Sequence, residues 1–324
     1  MGYYVLHVKR FKKTVVFIKI RMDTFTANNS RICYLTGNHG CVNDYYDYLV
    51  DLTKQILLDN PDQKINVFFG NCNYDFQNDN RSIRINLNWE HTLVKPGGRD
   101  TYGAPHGNVP VNKDVNYLVR IDRFYELNNA DIVVDYSIPN IYNVKISGLI
   151  ENFSKKHVYV AASIVGRHFI KENRDINCLT TFLIIDNSSR RFQLLENIRK
   201  RGIENINVSD CFGKTNTENL YKKTKIILNI RQTDHHDTLE ELRVLPALQC
   251  GVIVISEDCP LKELVPYSNY IIWTTYDNIL DKYEEVIKNY DYYHNLIFTE
   301  ELKQLLDGLH EKNYKTLKDR ILVA

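Results

Sequence analysis

From about residue 150 onward, short apolar runs alternate with amphipathic runs at nearly constant spacing. The apolar runs are TTFLIID (180–186), ENINVSD (204–210), KIILNIR (225–231) and VIVISE (252–257). Between them lie SRRFQLLENIRKRG (189–202), NTENLYKKT (216–224) and LEELRVLPALQCG (239–251). A hydrophobic period that switches repeatedly between strand and helix values predicts a parallel sheet joined by crossover helices. Ser188 and Ser189 are placed to cap the helix beginning near Arg190, and Gly202 and Gly251 to stop helices before the next strand. CPLKELV (259–265), NYIIWTT (269–275) and YDNILDKYEEVIKNYDYYHNL (276–296) continue the series, and residues 297–324 read as an amphipathic helical tail.

The first half is less regular. VVFIKI (15–20) and KINVFFG (64–70) are β-rich and flank a helical pattern at 41–60, which makes one βαβ-like unit. Arg84 to Val94 reads as a strand, and Lys95 to Lys113 as a loop rich in Gly, Pro and Asn. Residues 122–140 read as a short helix, a buried strand IVVDYS and a Pro-Asn turn. With 324 residues, beyond the usual size of one core, the chain divides into 1–150, 151–296 and the tail.

Composition narrows the function. The 41 basic and 40 acidic side chains leave a formal charge of +1, so no global field draws the chain to nucleic acid or an anionic membrane. Seven widely spaced cysteines without a CxxC pair read as reduced thiols, and no apolar run is long enough for a signal peptide core or a membrane span. A cytoplasmic location is the expectation, and a homodimer is compatible with the sequence. Heavy use of Asn, Ile, Lys and Tyr suits an AT-rich genome, such as that of a large DNA virus or a parasite.

Ligands of open parallel sheets bind beyond the C-terminal strand ends. There the sequence places Arg190 and Arg191, then Asn229 and Arg231, then Glu240, Glu241 and Arg243, and finally Glu257. Guanidinium groups beside free helix N–H groups suit a pyrophosphate, and the carboxylates suit ribose hydroxyls. FGKT (212–215) is no P-loop, because Val208 stands where the first glycine is needed, and no GxGxxG exists. These gaps disfavour a kinase or an oxidoreductase. Asp234, His235, His236 and Asp237 crowd one short loop and do not make a metal site, so metal independence is expected.

LYKKTKIILNIRQ followed by LEELRVLPALQCGVIVISE resembles the C-terminal domain of GT-B glycosyltransferases, particularly group-1-like and spore-maturation-like members. The resemblance covers roughly residues 180–290. It implies two Rossmann-like domains facing a cleft, with a UDP- or GDP-sugar donor in the second and a glycan or other hydroxyl acceptor in the first. It also implies hexosyltransferase-like activity, and a terminal helix that crosses back to the first domain. Carried over, the donor contacts fall on Arg231, Glu240 or Glu241, and Arg243. Many relatives have His in place of Arg231, and many have Glu where this chain has Pro246. The ribose contact then comes from Glu240, Glu241 or Glu257, or is absent, which leaves room for a catalytically degenerate sugar-nucleotide or glycan-binding protein. Pro246 also lacks a helical N–H, so the segment before it is expected to be a loop that becomes helix only there. Gly166 and Arg167 with Lys171 resemble a donor clamp one residue short. The first half carries the resemblance through NWEHTLVKPGGRD and ADIVVDYSIPN, with His91 as general base and Glu90 or Asp135 as substitute or partner.

Overall fold

The computed structural model describes residues 21–37, 42–90, 92–95, 105–112, 115–121, 123–148, 151–184, 189–209, 213–235 and 237–323. The chain is a mixed α/β protein with two mainly parallel sheets. The first, of six strands, runs β1 (Arg21–Ala27), β2 (Ser30–Thr36), β3 (Ile65–Phe69), β4 (Arg81–Asn88), β8 (Ile132–Asp135) and β9 (His157–Tyr159). Only the β1–β2 hairpin at its edge is antiparallel. Helix α1 (Asn43–Leu58) connects β2 to β3 and buries Tyr45, Leu49, Ile56 and Leu57 against that sheet.

Several expectations for this half are corrected. The strand that enters α1 is β2, while VVFIKI lies outside the described residues. Residues 105–112 are not loop but β6 (Pro105–Asn112), which with β5 (Leu93–Val94) and β7 (Val115–Arg120) forms a three-stranded antiparallel sheet. Strand pairing there overrides the local loop composition, with register breaks between Pro105 and Asn108 and between Pro110 and Asn112. After α2 (Phe124–Asn128) and β8, the Pro-Asn pair opens helix α3 (Ile138–Ser147) in place of a turn. Pro is tolerated in a first helical turn, and the Ser137 hydroxyl accepts from the Asn140 N–H. Helix α4 (Glu151–Lys156) then leads into β9, so the strand just past residue 150 completes the first sheet.

The second sheet is wholly parallel, in the order β11 (Asn205–Asn207), β10 (Ile176–Thr180), β12 (Thr224–Asn229), β13 (Ile253–Glu257) and β14 (Ile272–Thr274). Its first strand lies earlier than expected: β10 covers INCLT and ends at Thr180, which puts Thr181, Phe182 and Leu183 in the loop beyond it. The connecting helices are α5 (Arg190–Lys200), α6 (Lys214–Lys222) and α7 (Glu241–Gln249). Ser189 caps α5 by accepting from the Phe192 N–H, and Gly202 and Gly251 take left-handed backbone at φ +68° and +73°. Pro246 sits inside α7, which starts five residues earlier than the sequence suggested. Burial of Glu241, Val244 and Leu245 in the first turns holds the helix despite the one missing hydrogen bond.

Helices α8 (Ile279–Lys288), α9 (Tyr290–Ile297) and α10 (Glu300–Val323) complete the chain. Helix α10 lies against α1 and β9. There Asn313, 1% exposed, accepts from the Ala161 N–H and donates to the Ala161 carbonyl, both at 2.8 Å, and donates to the Tyr48 hydroxyl at 3.0 Å. Tyr314 donates to Asp59 at 2.6 Å and Arg81 to the Ile321 carbonyl at 2.6 Å. One continuous buried cluster runs from Ala27 to Ile321 and takes in both sheets. Among the described residues no helix is long and apolar enough to cross a membrane.

Candidate active site

The order of the second sheet reverses between β10 and β12, where neighbouring connections leave in opposite directions and open a crevice at the strand ends. A cavity of about 270 Å³ lies there. Residues that follow strands of both sheets wall it: Trp89 and Glu90 after β4, Tyr136 after β8, Thr181 after β10, Gln232 after β12. Helix α5 contributes Arg191, and the start of α7 contributes Glu240, Glu241 and Arg243.

Arg243 and Arg191 give this wall its charge. Arg243 donates to the Thr181 hydroxyl at 2.6 Å and to Asn229 Oδ1 at 2.7 Å, while Glu240 on its own helix stands 3.8 Å away. Glu240 is therefore chiefly the partner of Arg191, at 2.8 Å. Asn229 is itself fixed by its bond to Ser256 at 2.9 Å. Arg191 is 4% exposed, donates to the Ile230 carbonyl at 3.2 Å, and has a buried Nε without a hydrogen-bond partner. Burial lowers its pKa to about 10 in spite of Glu240. An enclosed guanidinium with an orphan donor favours an anion that can approach it. Phe182 lies under both cations, its ring centre 5.3 Å from the Arg191 guanidinium and 5.8 Å from that of Arg243.

A second charged group lies alongside and is closed on itself. Arg190 donates to both oxygens of Glu257, at 2.7 and 2.8 Å, reaches Asp234 at 2.9 Å, and stacks 4.5 Å from the Tyr276 ring centre. Arg231 pairs with Glu257 and Asp237, and Lys95 meets Asp237 at 3.1 Å. Burial raises the Glu257 pKa, but the hydrogen bonds from Arg190 and Arg231 outweigh it and bring the carboxyl to about 2. Three cations face three carboxylates, so Arg190 and Arg231 already have counter-charges, whereas the Arg191 and Arg243 side opens on the cavity.

The candidate base residues separate. Glu90 stands in the cavity wall. Tyr136 senses carboxylates of both halves: burial first, then Asp135, Glu240, Glu90 and Glu241, push its phenol well above the usual value. Glu241 is tied to the Tyr267 hydroxyl at 2.6 Å. Asp135 is fully enclosed and accepts from Asn88 at 2.7 Å, Asn140 at 3.1 Å and the Ser137 N–H at 2.9 Å, with His157 at 2.9 Å. Its neighbours occupy it, and it holds the ends of β4, β8 and β9 together. His91 lies outside the described residues, as does His236. Among the described residues no group of three or more His, Cys, Asp or Glu is arranged to hold a metal ion.

Other sequence signals resolve into packing. Gly213 opens α6 at φ +95°, and its N–H and the Thr217 hydroxyl both donate to Asp44 of α1, so that helix start is closed by a carboxylate. Arg167 pairs with Asp307 of α10 and Lys171 with Asp291 of α9, which separates the two residues of the supposed clamp. Trp89, Thr181 and Gln232 were missed. Thr181 would have followed from ending β10 at Thr180; Trp89 and Gln232 carry no local signal, because only the meeting of the two sheets makes them neighbours.

Fold and site define an α/β protein with a cleft between two mainly parallel sheets, with Arg191, Arg243, Glu240 and Glu241 on the side of the second sheet and Glu90 on the side of the first. No family model matches the chain. It is similar to an uncharacterized protein of Acanthamoeba polyphaga mimivirus, 29% identical over 218 residues, which span 63% of this chain and 74% of that one.

Proposed function

We propose that the chain is a glycosyltransferase of the GT-B type, moving a sugar from a nucleoside-diphosphate sugar to an acceptor hydroxyl without a metal ion. The observation that carries the proposal is the pair Arg191 and Arg243 at the switch point of the second sheet, facing Glu90 of the first half across one cavity. In this reading the two guanidiniums hold the diphosphate, and Glu240 between them accepts a donor hydroxyl. The acceptor oxygen attacks the anomeric carbon, its proton passes to Glu90, and the electron pair of the breaking bond leaves with the diphosphate. Preorganised cations stabilise the charge that develops there. Enclosure of Asp135 supports Glu90 as the base among the described residues. The same enclosure also favours a second reading, a sugar-nucleotide-binding protein without transfer activity.

Thermal unfolding with UDP, GDP, CMP, dTDP, ATP and NAD tests this. At about a hundred times its dissociation constant, a ligand stabilises by ~2.7 kcal/mol and raises the midpoint by several degrees. One sugar-nucleotide product is expected to give that shift and Arg243→Ala to lose it. A response to ATP or NAD alone, or to nothing, refutes the donor site. Binding without release of nucleoside diphosphate from any sugar donor supports the second reading.

A further inference from the structure

Beside the cleft, a groove of about 650 Å³ runs between α1, α10 and the segment Ser163 to Arg167. Asp44 and Ile164 line both spaces, so the groove adjoins the cleft. Five carboxylates stand along it, Asp44, Asp47, Asp51, Asp307 and Glu311, against Arg167 and Lys214. Four of the five have partners within the protein: Asp44 accepts from α6, Asp47 from Asn43 at 3.1 Å, Asp51 from Lys54 at 3.0 Å, and Asp307 pairs with Arg167, so five carboxylates meet three cations, Lys54, Arg167 and Lys214, and negative charge is in surplus. Asp47, Asp51 and Glu311 are exposed. Between the acidic positions the floor of the groove is formed by the buried side chains of Leu52, Val165 and Leu306. A second, independent feature lies in the same wall. Gln249 is 4% exposed, its amide nitrogen donates to the Ser163 hydroxyl at 2.7 Å, and its amide oxygen has no hydrogen-bond partner. A buried acceptor without a donor is costly to leave empty and calls for a donor group from a ligand.

We propose that this groove binds a lysine-bearing peptide segment that carries the acceptor hydroxyl into the cleft. The acceptor role rests on the glycosyltransferase reading; the binding does not. Lysine combines an apolar four-carbon stem with a charged head carrying three donors, which matches apolar patches bordered by carboxylates and an unpartnered amide oxygen. A ring-bound ammonium, as in an amino sugar, has no such stem. The chain as a whole carries only +1, so attraction of a polycation is local to this groove.

The test is fluorescence anisotropy of labelled pentalysine, pentaglutamate and a glucosamine pentamer with the full chain, at low and high salt. Pentalysine is expected to bind, pentaglutamate not, and high salt to weaken binding. Asp47→Asn together with Glu311→Gln, both at exposed positions, is expected to weaken pentalysine about fivefold with the thermal midpoint unchanged. Gln249→Met is expected to weaken it further, and the exposed pair keeps the test valid if that variant fails to fold. Failure of pentalysine to bind, equal binding of pentaglutamate, binding of the glucosamine pentamer alone, or indifference to the double variant overturns the proposal. Nucleotide shifts measured on the same samples separate the two readings: shifts without pentalysine binding sink only the groove, and the converse sinks only the donor site.

Discussion

Replacing Glu257 by Gln keeps the shape of the side chain and removes the charge that Arg190 and Arg231 share. Both guanidiniums are largely enclosed, with side-chain exposures of 11% and 16%, and Glu257 itself stands at 4%. Removing one partner of a buried ion pair costs ~3–5 kcal/mol, because the other charge is left uncompensated. Asp234 and Asp237 still face these cations, which points to the lower end, about 3 kcal/mol. At roughly 2 °C per kcal/mol for a chain of this size, the midpoint falls by about 6 °C at neutral pH. The pH dependence carries the sign. A carboxyl held at about 2 in the folded state stabilises above its ordinary value of 4.5, and that stability is lost as pH falls from 4.5 toward 2. Differential scanning calorimetry from pH 7 to 3 should therefore show the two proteins converging as the wild type loses its advantage. A drop below 2 °C at pH 7, or a gap that widens in acid, refutes the account of Glu257 as the carboxylate that holds these two cations.

Asp135→Asn and Glu90→Gln separate packing from chemistry. Asp135 serves three elements, so its replacement is expected to lower the midpoint by several degrees through loss of the Oδ2 acceptor shared by Asn88 and His157, while the remaining oxygen still accepts from Asn140 and the Ser137 N–H. Glu90→Gln is expected to leave the midpoint within a degree or two and, on the proposed function, to reduce sugar transfer 10²-fold or more, read as release of nucleoside diphosphate. The reverse pattern exchanges their roles. Gly251→Ala places a methyl 2.6 Å from the His168 carbonyl and from an Arg174 nitrogen at a φ of +73°, so it is expected to destabilise by more than ~2 kcal/mol. A urea titration with an unchanged midpoint contradicts this.

The second sheet was legible because its central strands β12 and β13 are buried on both faces and its helices bury one. Period and glycine stops therefore agree, as at Gly202 and Gly251. Its first strand was misplaced because TTFLI is more apolar than INCLT, while pairing with β11 and β12 selects the latter. The first half was harder to read. Ser30–Thr36 mixes buried and half-buried positions without strict alternation, and 105–112 is strand only because β7 pairs with it. Of the site, the arginines were readable as cations beyond strand ends. Which of them faces the cleft was not, since the choice between Arg191 and Arg231 depends on where Glu240, Glu257 and Asp237 place their charges in space.

Helix α10 covers α1 with residues that leave the ribosome after the whole second sheet. At ~5–20 residues per second, the first sheet waits on the order of ten seconds between the synthesis of β9 and that of its cover. During that interval the Ala161 amide and carbonyl lack Asn313, and the stripe that meets Leu302, Leu306, Leu309, Leu317 and Ile321 stays open. Closure of the first half thus waits on the arrival of one helix that the chain makes after the whole second sheet.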